Sequence, residues 1–151
     1  MTKRGPEARV KSAVLIALGS LPGVVVWTNV VGAIQQDGRW IRYGTGGKGA
    51  PDLLVEVEVV PGLHACVWIE LKAQDGRLSP DQVAWRDAAL RAGRHWYMAR
   101  SGAEAVAAIE HARATARERI RRACLDSTAG QVETRPLDTA RPRDGETSKG
   151  R

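Results

Sequence analysis

Two alternating runs joined by a Pro-Gly turn constrain this chain more than any other feature. "DLLVEVEVV", Asp52–Val60, places apolar and acidic residues at period two. Pro61-Gly62 reverses the direction, and Leu63–Lys72 returns with Val67, Ile69 and Leu71 on one face. Such alternation marks half-buried strands, and the short turn makes them neighbours. Directly afterwards, Ser79-Pro80-Asp81-Gln82 reads as a helix start. Ser79 and Gln82 form a capping box, with proline at the first helical position. Gly93 stops that helix, and Arg94–Arg100 is a short strand. Strand, helix and strand in this order predict a right-handed parallel crossover beside the hairpin, hence a mixed sheet.

The flanks follow the same rules. Pro6 to Leu18 carries Val10, Ala13, Val14, Ala17 and Leu18 at helical spacing. Val24–Val31 is β-branched and strand-like, and Asp37-Gly38 reads as a hairpin turn into Arg39–Tyr43. Gly44–Pro51 is a glycine-rich loop. In the helix after Ser79, the inward stripe is Trp85, Ala88, Ala89 and Ala92. Ser101 and Glu104 form a second capping box, opening a helix to about Leu125 with Val106, Ile109, Ala116, Ile120 and Ala123 inward. These elements predict an α/β fold: one small mixed sheet flanked by helices, plus an extra C-terminal helix. Residues 1–125 are expected to form the domain. Residues 126–151, aperiodic and rich in Thr, Arg, Gly, Pro and acid, read as a disordered tail.

With 151 residues, 43% hydrophobic and 26% charged, the chain can bury a core without staples. No apolar run is long enough for a membrane span, and the N-terminus lacks a signal peptide's apolar core, so a cytoplasmic location is expected. Cys66 and Cys124 lack metal-ligand spacing and are expected to be buried free thiols. The net charge of +6 lies entirely before the tail, whose acids and bases balance, which favours a polyanionic partner.

Within Leu63–Lys72, Glu70 and Lys72 share the face opposite the core stripe, with Cα atoms about 6.5–7 Å apart. They can converge on one small group above the sheet. From spacing alone, an exposed sheet face with a cross-strand ion pair is the simpler reading. A carboxylate can help to hold a hard cation, with a second acid from the neighbouring strand, and a lysine can serve an attacking water or a phosphate. Asp52, at the mouth of that strand, is the obvious second acid.

"GGKGAPDLLVEV", "VWIELK", "LSPDQVAW" and "AGRHWYMAR", in that order, resemble the PD-(D/E)xK nuclease superfamily, in its virus-type replication-repair nuclease (VRR-NUC) branch. The resemblance runs from Glu7 to about Arg100. Pro51-Asp52 matches the PD element, Glu70-Leu71-Lys72 the E-x-K element, and Leu78–Gln82 the segment ending in glutamine. The resemblance implies a restriction-endonuclease-like αβββαβ core and a Mg²⁺- or Mn²⁺-dependent phosphodiesterase. Asp52 and Glu70 would be metal ligands, with the Leu71 carbonyl a further one, and Lys72 would be catalytic. Glu7 and Gln82 would support catalysis. Each also has an ordinary reading: acids favour first helical turns, and the capping box already explains Gln82.

The implied partner is DNA. Arg39, Arg42 and Lys48 flank the loop before Asp52, and Arg113, Arg117 and Arg121 form a stripe on the last helix. That stripe is also what a solvated helix face looks like. Trp68 can stack on a base or pack under the first helix. Glu56 and Glu58 read as a solvated strand face, and His95 as a strand residue without a catalytic part. "GTGGKGAP" is no phosphate-binding P-loop, because Gly49 follows Lys48. No base-reading motif is visible, so backbone and shape recognition is expected. A DNA endonuclease for branched or Holliday-junction DNA, acting as a dimer and belonging to a phage or mobile element, is the leading expectation. A binding module without catalysis and a sequence-specific restriction-type enzyme are the alternatives.

Overall fold

The computed structural model describes residues 5–30, 32–44 and 46–129, with backbone alone at 42, 43, 128 and 129. The elements are α1 (Pro6–Gly19), β1 (Val24–Thr28), β2 (Gly32–Gln36), β3 (Arg39–Tyr43), β4 (Leu53–Val60), β5 (Leu63–Leu71), α2 (Pro80–Arg91), β6 (His95–Ala99) and α3 (Gly102–Ala129).

The main sheet has the order β1-β4-β5-β6. β4 is antiparallel to β1 and β5, while β5 and β6 are parallel, so the sheet is mixed and α2 is the crossover between its parallel strands. The odd-numbered residues of β4 and β5 supply the core. Leu53, Val55, Val57, Val67 and Ile69 are fully buried against Val14 and Leu18 of α1 and Ile109 of α3. Each such side chain contributes about 1.5–3 kcal/mol by leaving water. α1 and α3 therefore share one face of the sheet. The opposite face carries Trp68 and Glu70 and meets α2, where the Trp68 and Trp85 rings pack edge to face at 5.0 Å. Trp68 thus packs against α2, not under the first helix.

The expected strand Val24–Val31 is shorter in the structure. β1 ends at Thr28, Asn29 N donates a last bond to Asp52 O at 2.7 Å, and the chain then leaves the sheet. The Asp37-Gly38 turn joins β2 to β3, and these two form a separate sheet. The αβββαβ core is therefore α1, β1, β4, β5, α2 and β6, with the hairpin as an insertion.

Three helical expectations shift. Ala88 and Ala92 of α2 are exposed, because its inward line runs through Trp85 and Ala89. Ala123 is exposed, and the most buried positions of α3 are Ala105, Ala108, Ile109 and Ala112, since residues 121–127 reach past the sheet. α3 also continues to Ala129, beyond the expected end near Leu125, and residues 130–151 of the expected tail lie outside the described ones. Cys66 and Cys124 form no disulfide and are exposed, not buried: Cys66 lies on the sheet face away from α1 and α3, and Cys124 on the projecting end of α3.

Candidate active site

Glu70 is a carboxylate almost without solvent contact, at 2% exposure, and Lys72 beside it is 9% exposed. Lys72 Nζ lies 2.7 Å from Glu70 Oε1. The same oxygen accepts from Gln82 Nε2 at 2.5 Å. Gln82 reaches it from the first turn of α2 because both halves of the capping box form: Ser79 Oγ accepts from Gln82 N, and Gln82 Oε1 accepts from Ser79 N. The helix cap and the contact to Glu70 thus use different atoms of one side chain.

Burial pushes the Glu70 carboxyl up from its ordinary value, the Lys72 hydrogen bond pulls it down, and the charges of Asp52 and Glu7 add to the rise. Three carboxylates therefore act on one small region. The last ladder pair is Leu53 with Ile69; one step further, the register sets Asp52 opposite Glu70. Directly opposed residues hold their Cβ atoms about 4.5–5.5 Å apart. Asp52 Oδ2 accepts from Leu71 N at 2.8 Å, closing the strand pair with a side chain where the backbone ladder stops.

Glu7 is largely exposed, yet its Oε1 stands 4.0 Å from Lys72 Nζ. Glu7, Ala8, Lys11, Asp52 and Leu71 line an open pocket of about 190 Å³. Asp52, Glu70, Lys72, Gln82 and Glu7 thus come together, on four elements distant in sequence. Among the described residues, no three His, Cys, Asp or Glu side chains stand close enough to hold a metal ion as they are placed.

The residues expected to touch DNA divide. Lys48 is exposed and pairs with Asp81 at 2.8 Å, at the start of α2. Arg39 is exposed on β3, and the side chain of Arg42 lies outside the described ones. The α3 stripe is engaged elsewhere. Arg113 donates to Glu58 O at 3.1 Å and Pro22 O at 3.0 Å, and Arg117 to Val59 O at 2.8 Å. These two arginines bind the end of β4 and the α1–β1 turn in place of an outward stripe. Arg121 and Arg122 hold Glu118, whose carboxyl falls to about 2 under their hydrogen bonds.

Sequence reasoning missed the residues that shape the site from behind. Asn29 Nδ2 donates to Pro51 O at 2.9 Å, fixing the backbone before Asp52. Arg100 donates to Gln74 O at 2.9 Å and Gly76 O at 2.8 Å, folding the loop after β5 over the lysine stem. A Cβ at Gly76 would stand 3.2 Å from Lys72 Cβ and Cδ, so glycine permits this cover. Gly49 brings the other loop against α2: at φ +80 its Cβ would meet Asp81 O at 2.4 Å. The glycine at 49 was the available signal, since a glycine before a strand often marks close backbone approach.

Neither a protein-family model nor a curated protein matches this sequence. A solved structure of a VRR_NUC domain superposes on 72% of this chain and 98% of its own length, with a TM-score of 0.50 and 22% identity. Over that span, the chain has the fold of a VRR_NUC domain.

Proposed function

We propose that this domain is a divalent-metal-dependent DNA endonuclease that hydrolyses phosphodiester bonds and selects branched or junction DNA. One observation carries the reading: Asp52, Glu70 and Lys72 meet at adjoining strand ends, with Gln82 on Glu70, in a VRR_NUC fold.

The donor chemistry fits a hard cation. Asp52, Glu70 and the Leu71 carbonyl offer oxygen only, which is what Mg²⁺ or Mn²⁺ requires. The mutual repulsion of Asp52, Glu70 and Glu7 is also the kind that a divalent charge relieves. When bound, such an ion supplies Lewis-acid stabilisation of the phosphate and a more acidic attacking water.

The protein's own part is positioning. The Leu71 N–H fixes the Asp52 carboxylate, and Gln82 and Lys72 fix that of Glu70. Lys72 orients the attacking water and offsets charge on the phosphate as the bond to the leaving oxygen breaks. Glu7 supports Lys72 from the solvent side. Lys48 and Arg39 hold flanking phosphates.

The test is cleavage of plasmid and four-way-junction DNA with Mg²⁺ or Mn²⁺. Wild type cleaves; Asp52→Ala and Lys72→Ala bind but do not cleave, and chelator stops the reaction. Discrete fragments from random-sequence duplex would indicate a restriction-type enzyme. A binding module without catalysis is the second reading, favoured by Glu70 Oε1 being taken up by both Lys72 and Gln82. It predicts binding and no cleavage of any substrate.

A further inference from the structure

Between Asn29 and Pro51 the chain leaves and re-enters the sheet at the end where Asp52 and Glu70 meet. The outgoing root is tied there by Asn29, which donates to Asp52 O and Pro51 O. The returning root is tied to α2: Trp85 Nε1 donates to Gly46 O at 3.0 Å, and Lys48 pairs with Asp81. Both roots thus flank the site.

Between them β2 and β3 pair with each other and, among the described residues, pack against no other strand or helix. A lone two-stranded hairpin is marginally stable in water. This one nevertheless exposes Trp40 at 69%, Ile34 at 49% and Ile41 at 44%. Ile34 is opposite Ile41 on one face, and Trp40 is opposite Gln35 on the other. Its charged residues are Arg39, Arg42 and a single acid in the turn, Asp37, so its charge suits phosphate. An insertion rooted on both sides of a site, basic and with an aromatic side chain uncovered, is shaped to meet whatever enters that site.

We propose that the β2–β3 hairpin contacts unpaired DNA beside the cleaved bond, with Arg39 on the backbone and the Trp40 indole stacked on an unpaired base. This rests on the nuclease reading and names its substrate class: duplex adjoining single strand. Trp40 is three residues from the hairpin root at Gly32 and Tyr43, about 10 Å along a strand. That reach keeps the indole within a few nucleotides of the fork.

The full chain in chelator, so that nothing is cut, is titrated with forked duplexes carrying 2-aminopurine at unpaired positions one to five from the fork. Stacking quenches the probe within this stretch, at the positions the indole reaches. Trp40→Ala removes the quench and weakens fork binding roughly tenfold, Trp40→Phe keeps most of both, and linear-duplex affinity changes less than twofold. Circular dichroism confirms that the variants fold. Unchanged quench and fork affinity in Trp40→Ala overturn the proposal. So does a dimer that Trp40→Ala converts to monomer in sedimentation velocity, which would make the hairpin a self-association surface. Cleavage plays no part in these readouts, so an uncut substrate would defeat the nuclease reading while leaving the hairpin contact standing.

Discussion

Gln82 Nε2 donates to Glu70 Oε1 at 2.5 Å while Gln82 Oε1 accepts from Ser79 N at 2.9 Å. One amide therefore caps α2 and orients a buried carboxylate, and two substitutions separate the roles. Gln82→Ala loses both but keeps its backbone N–H on Ser79 Oγ, so the weakened cap costs less than about 1 kcal/mol and the charged hydrogen bond about 1.5–3 kcal/mol. Gln82→Glu keeps an acceptor for Ser79 N but sets another acid against Glu70. Urea unfolding is expected to show the cap retained in Gln82→Glu, while cleavage falls about 10–100-fold in both variants.

Glu70 gives the metal-free protein a characteristic pH response. Burial, the largest influence, raises its carboxyl above the ordinary value of 4.5, so the folded state holds this proton more tightly than the unfolded chain. Its contribution to stability is full below about 4.5 and is lost as pH rises through the raised folded value. In chelator, the stability of wild type minus that of Glu70→Gln should therefore decline with rising pH across that window. Urea midpoints from pH 4 to 8 provide the check; a flat difference would show that Glu70 titrates alike in both states.

Arg113 and Arg39 should behave oppositely. Arg113 serves the carbonyls of Glu58 and Pro22, so Arg113→Ala is expected to cost about 2 kcal/mol and leave the salt dependence of DNA binding unchanged. Arg39 is exposed; Arg39→Ala should stay within about 0.5 kcal/mol of wild type and reduce the salt slope by about 1. Unfolding curves and binding isotherms at several salt concentrations measure both.

Metal removal offers a test that requires no substrate. At ten times its dissociation constant, Mg²⁺ should stabilise the wild type by about 1.4 kcal/mol through mass action. Asp52→Asn, which removes one charge from the proposed ligand set, should lose most of that gain. Thermal unfolding with and without chelator gives the comparison.

The sequence by itself determined which residues alternate, where strands turn and where helices start. Period-two spacing in Leu53–Val59 and Val67–Leu71 set the core face, Pro61-Gly62 made those strands neighbours, and Ser79 to Gln82 closed a capping box that forms as read. These are short-range effects, governed by backbone sterics and side-chain periodicity. Tertiary structure alone decided what covers each face. Alternation puts Trp68 opposite the core but cannot reveal that Trp85 covers it. Helical spacing aligns Arg113, Arg117 and Arg121, yet long flexible side chains turn two of them onto carbonyls more than fifty residues away in sequence. Lys72 is buried because Arg100 folds a loop over it, and β2 and β3 stand apart because Asn29 ends the ladder at Asp52. A local pattern fixes direction and spacing, whereas burial and hydrogen-bond partners depend on which distant segments arrive at the same place.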